Sequence, residues 1–109
     1  MAKSDHNIYV GVYIADLQMP WVRSLKEKRS LVRPITEKLK LRYPVSVARL
    51  GGLNEHAWER IGATAISHDP KWLEDVLNKV HSFVSAKGDY RVGFWDISID
   101  VWDVGVDAH

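Results

Sequence analysis

The sequence predicts an α+β domain built on one antiparallel sheet. Short segments in which apolar residues recur at every second position predict strands, and two longer segments in which they recur every three or four residues predict amphipathic helices. Proline, glycine and capping residues separate these segments in the order β-α-β-β-α-β.

Ile8, Val10, Val12 and Ile14 alternate with Tyr9, Gly11, Tyr13 and Ala15, which is the period of a strand. This reading sets the aliphatic residues against the core and turns Tyr9, Tyr13 and Leu17 to the other face. Gln18 to Val22 is a loop around Pro20. Ser24 and Glu27 have the spacing of a capping box. The helix that follows carries Leu25, Leu31, Val32, Ile35, Leu39 and Tyr43 on one side. Pro34 cannot donate to the carbonyl of Ser30, so the spacing predicts one helix kinked at that point rather than a helix that begins at Ser30. Pro44 ends it.

Val45 to Leu50 is a short second strand, closed by Gly51 and Gly52. Leu53 to Glu59 is a loop, and Arg60 to His68 a third strand. Asp69 followed by Pro70 is a helix start, an N-cap with proline at the first helical position. Leu73, Val76, Leu77, Val80, Phe83 and Val84 form its apolar stripe, and Gly88 is its expected stop. Arg91 to Trp102 is the last strand. Trp95, Ile97, Ile99 and Val101 share one of its faces; Asp96, Ser98 and Asp100 share the other. Two right-handed crossovers then put both helices on one face of a four-stranded antiparallel sheet of order 4-1-3-2, a ferredoxin-like βαββαβ fold.

A length of 109 residues fits one domain, 1–109, with its core between about residues 7 and 103, a polar N-terminal tail and an acidic C-terminal tail. There is no cysteine, which excludes disulfides, iron–sulfur clusters and thiolate zinc sites and suits a reducing cytoplasm. Met1 to Asn7 is polar and no long apolar run exists, so neither a signal peptide nor a membrane span is expected. The net charge is only +1, but it is unevenly placed. Arg23 to Arg42 holds eight basic residues against Glu27 and Glu37, whereas Asp96 to His109 holds four aspartates and no lysine or arginine.

No GxSxG, P-loop, GxGxxG or HExxH motif is present. The Ala15 to Trp21 stretch lacks the glycine-rich loop and arginine of an acylphosphatase. The CxxC of a metallochaperone and the aromatic pattern of an RNA-recognition motif are also missing. His56, with Glu55 and Glu59, has no second histidine at a useful spacing, which favours a surface loop over a metal site. No catalytic residue, metal or cofactor is therefore expected.

Two binding surfaces are. Lys26, Arg29, Arg33, Glu37 and Lys40 share one helix face, flanked by Lys28, Lys38 and Arg42. This is either a solvated face or, with Ser24 and the free amides at the helix start, a site for anions or an RNA backbone. Its candidate contacts are Ser24, Lys26, Lys28, Arg29, Arg33 and Lys40. The second surface is the open sheet face, where Tyr9, Tyr13 and Trp102, with Val104, would be buried in a homodimer. Five tryptophans, at 21, 58, 72, 95 and 102, are core or rim residues, with Trp58 closing one end of the core.

The opening strand, Ser24-Leu25-Lys26-Glu27-Lys28-Arg29, Val45-Ser46-Val47-Ala48 and Trp58-Glu59-Arg60 together resemble the YlxP-like family of bacterial domains of unknown function (domain of unknown function 503), over about residues 8–100. The resemblance implies a ferredoxin-like fold. It implies no established activity and no catalytic residue, and in some bacteria a gene neighbourhood of translation and ribosome maturation. Arg49 stands where the family usually has an acidic residue, and the Gly51 to His56 loop is longer than usual. The expected function is that of a small cytoplasmic binding protein for RNA or ribosomal particles acting through the first helix. The alternative is a non-enzymatic homodimeric interaction module.

Overall fold

A computed structural model describes residues 7–103 of the chain. It contains β1 (Asn7–Gln18), α1 (Leu25–Arg42), β2 (Ser46–Gly51), β3 (Trp58–Ser67), α2 (Pro70–Ser85) and β4 (Arg91–Asp103). The strands form one antiparallel sheet of order β2-β3-β1-β4, as the sequence predicts. Both helices lie on the same side of it: α2 over β1, β3 and β4, and α1 over β2. The N-terminal tail with His6, and Val104 to His109 with the end of the acidic tail, lie outside the described residues.

The predicted caps form. Ser24 Oγ accepts from the Glu27 amide at 3.1 Å, and Glu27 Oε1 accepts from the Arg23 amide at 2.8 Å. Asp69 Oδ1 accepts from the amides of Lys71 and Trp72. Such caps are worth about 1 kcal/mol each. Helix α1 is a single helix from Leu25 to Arg42 that contains Pro34. The end of α2 differs from expectation. It stops at Ser85 with Ala86 as its cap, and Gly88 does not adopt the left-handed conformation that would have made it the stop.

The larger difference is the facing of β1. Gly11, Tyr13, Ala15 and Leu17 are buried beneath the helices, while Ile8, Val10, Val12 and Ile14 line the open face. The aliphatic alternation identified the strand and misassigned its side. The reason lies in the space beneath α2. A Cβ at Gly11 would stand 2.7 Å from Leu77 Cδ1, so the missing side chain leaves the room that Leu77 of the helix occupies. Ala15 leaves similar room, and Tyr13 and Leu17 fill the gaps between these small residues. The Tyr13 hydroxyl lies 2.9 Å from His81 Nδ1, and the His81 ring stacks on Trp95 at 3.8 Å. Burial lowers the His81 pKa and raises that of Tyr13.

Beneath the helices the core comprises Tyr13, Leu17 and Met19 with Val32, Ile35 and Leu39 of α1, Ile61 of β3, and Leu77, Val80 and Val84 of α2. Tyr90 enters it just before β4, and its hydroxyl donates to the Val84 carbonyl at 2.8 Å. Each fully buried aliphatic side chain contributes about 1.5–3 kcal/mol. Substitution distinguishes the two faces of β1. Tyr13→Ala is expected to cost about 3–5 kcal/mol by opening a cavity, and Ile8→Ala less than about 1 kcal/mol. Urea unfolding followed by circular dichroism measures both; equal costs would contradict the observed facing.

Candidate functional site

Basic residues of α1 fall on two faces of the helix, and the faces have different roles. Lys28, Val32, Ile35 and Leu39 are spaced 4, 3 and 4 apart, and all four are buried. Lys28 thus extends the apolar stripe by one turn and enters the protein, where its side chain is fully enclosed. Its ammonium donates to the carbonyls of Gly52 at 2.7 Å and Glu55 at 2.5 Å, and lies 3.3 Å from that of Trp58. It also pairs with Glu59 Oε1 at 3.0 Å. Lys28 is therefore not a nucleic-acid contact, and that expectation is corrected. An apolar stripe that continues through a lysine was the signal in the sequence.

Glu59 is the partner that a buried lysine needs. It lies on the helix-facing side of β3 with Ile61 and Ala63, and is itself completely buried. Arg49 of β2 grips both carboxylate oxygens, with Nε 2.5 Å from Oε2 and Nη2 2.8 Å from Oε1, the oxygen it shares with Lys28. Burial alone would raise the pKa of Glu59. Hydrogen bonds from Arg49 and then Lys28 outweigh burial and hold it below the usual carboxylate value. Arg49 is thus the outer member of a Lys28–Glu59–Arg49 triad with a net charge of +1.

The other face of α1 presents Arg29, Arg33 and Lys40 to solvent. With Arg49 and Val47 of β2 they border a groove of about 270 Å³ whose floor includes Val32 and Thr36. A second depression of about 320 Å³ shares Arg29 and Arg33 and extends to Lys26 at the start of the helix. Glu37 lies 3.7 Å from Lys40 and tempers one end of the groove. Arg29, Arg33 and Lys26 form no ion pair among the described residues. The Ser24 hydroxyl accepts from the Glu27 amide as the cap of its own helix, and the Glu27 carboxylate beside it works against an anion at the helix start. Arg49 is the groove residue that the sequence reading did not single out. It lies on β2, the element that follows α1, and the pairing of β2 with β3 turns it toward Glu59 and the groove.

The open sheet face also differs from expectation. Tyr13 is fully buried and Tyr9 half-buried on the helix side, so neither lies on it. Trp102 does, paired across the sheet with Ile8 and largely exposed. Trp58 covers Gly51 and Gly52; Gly52 has a φ of 69°, and an added Cβ there would meet the Trp58 ring at 2.9 Å. No helix among the described residues is long and apolar enough to cross a membrane.

These elements define a ferredoxin-like α+β domain with an internal charged triad and a cationic groove beside its edge strand. The family model for a protein of unknown function (DUF503) matches residues 10–97, and the chain belongs to that family. No curated protein matches. Among solved structures the chain is similar to the de novo designed protein Foldit4, with a TM-score of 0.45 and 12% identity over 88% of this chain and 96% of that one.

Removing one member of the triad leaves a buried charge without its partner. Lys28→Met is expected to cost about 3–5 kcal/mol in urea unfolding, far more than Lys26→Met at the exposed neighbouring position. The depressed pKa of Glu59 sets the sign of a pH effect. Its contribution to stability is complete above its ordinary value of 4.5 and is lost as the pH falls through the lower, folded-state value. Unfolding free energies measured against pH are expected to fall below about pH 4.5 in the native protein. In Glu59→Gln the part of that slope due to Glu59 is expected to disappear.

Proposed function

We propose that the chain is a non-enzymatic RNA-binding module that holds the phosphate backbone in the groove between α1 and β2. The observation that carries the reading is the placement of Arg29 and Arg33. They are one helical turn apart, exposed, and without a carboxylate partner among the described residues. Arginine donates in a planar fork that matches phosphate oxygens. Lys40 and the outer edge of Arg49 extend the positive surface along the groove, and Lys26 extends it toward the start of the helix.

The geometry favours contact with the backbone over base reading. The cations are long side chains on a convex helix, and no aromatic residue borders either depression. Binding of this kind is shape-directed, modest in affinity and sensitive to salt. Ribosomal particles present the same chemistry as free structured RNA, so both fall within the reading.

Filter binding of a structured RNA over a series of salt concentrations tests it. Contact with about three to five phosphates gives a slope of log affinity against log salt of about −2 to −4. The double variant Arg29→Glu/Arg33→Glu is expected to lose retention while its far-UV circular dichroism is unchanged. Absence of retention at low salt, or retention that salt does not alter, would overturn the reading.

A further inference from the structure

The face of the sheet opposite the helices carries a continuous apolar row along its central strand β1, with further apolar residues on the strands beside it. On β1 it presents Ile8, Val10, Val12 and Ile14, flanked by Ile66 of β3, Leu50 of β2, and Phe94 and Trp102 of β4. Ile66, Phe94 and Trp102 are each more than half exposed. An antiparallel sheet with one side in water normally turns polar residues toward it. Here the strand with the strongest aliphatic pattern turns that pattern outward. A contiguous patch of this kind marks an interaction surface.

We infer that this face packs against the same face of a second copy of the chain. Size is the first argument. Four strands about 4.8 Å apart and about ten residues long at 3.3 Å each outline roughly 600 Å² on one copy and 1,200 Å² on the pair. This reaches the lower end of specific protein interfaces, at about 1,200–2,000 Å².

Charge is the second argument. Asp16 and Arg60, near one end of the two central strands, neutralise each other through a two-pronged pair at 2.6 and 3.0 Å, so these strands carry no uncompensated charge on this face. Asp96 and Asp100 lie along one margin, opposite Ile14 and Val10, and would repel a phosphate chain or an anionic surface. They also select the symmetry. A two-fold axis parallel to the strands lays β1 on the second copy's β3 and β4 on its β2, whose residues on this face, Ser46 and Ala48, are uncharged. An axis across the strands would stack the aspartates on themselves. The first arrangement holds them at opposite margins, in contact with water.

This inference does not depend on the RNA reading, because the groove lies on the helix side. The test is the mass of the full chain in solution by sedimentation velocity and light scattering at micromolar concentrations. The expected mass is twice the chain's 12.5 kDa. Ile66→Glu and Trp102→Glu change residues already exposed in the single chain, so each is expected to keep a native far-UV spectrum while weakening association at least about tenfold. Trp21→Glu, on the exposed loop after β1, is expected to remain dimeric. A monomer at every concentration would overturn the inference. So would a dimer that survives both sheet-face substitutions, since that dimer would be joined elsewhere, for instance by strand pairing at the free edges of β2 or β4.

Discussion

The molecule depends on a lysine that faces inward. Lys28 has three protons and four oxygen neighbours: two carbonyls of the β2–β3 connection, the carbonyl of Trp58 at the start of β3, and one carboxylate. A single ammonium therefore fixes the first turn of α1, the path of the connecting loop and the start of β3. A charge removed from water costs several kcal/mol unless it is fully coordinated. The coordination here is complete, and no buried side-chain polar atom among the described residues lacks a partner. Arg49 joins the same carboxylate from the edge strand, so β2 is tied to the helix across β3 by charge as well as by the sheet ladder.

The internal network also gives the two faces of α1 their separate characters. One heptad and a half of the helix supplies a buried row ending in Lys28, while the neighbouring row, Arg29 and Arg33, stays in water. Charges alone do not separate these rows; their registration with Val32, Ile35 and Leu39 does. The capping box at Ser24 fixes that registration by setting where the helix begins.

Much of the architecture was legible in the sequence. Caps, proline positions and periodicity located six elements and their order, because these signals depend only on neighbours along the chain. What escaped was everything decided by partners distant in sequence. The β1 alternation gives two equivalent faces, and β-branched residues favour strands without favouring the core side. Gly11 and Ala15 were the informative residues, since small side chains on a strand mark where a helix comes close. Lys28 and Glu59 likewise sat at positions whose spacing matched buried neighbours, Val32 in one case and Ile61 in the other. Charge was read as a sign of exposure in both, whereas two opposite charges on converging apolar stripes point to each other. Arg49 could be placed only once β2 and β3 were paired.

The connection between β2 and β3 is held by its main chain. Lys28 takes hold of the carbonyls of Gly52 and Glu55, while the side chains of Leu53, Asn54, Glu55 and His56 all project outward. Gly52, with its left-handed backbone beneath Trp58, is the position in the turn that requires a particular residue. The four that follow are free to diversify, provided that the backbone keeps its course. Substitutions at these four positions can thus change the chemistry of this corner of the molecule without loosening the anchor that holds it.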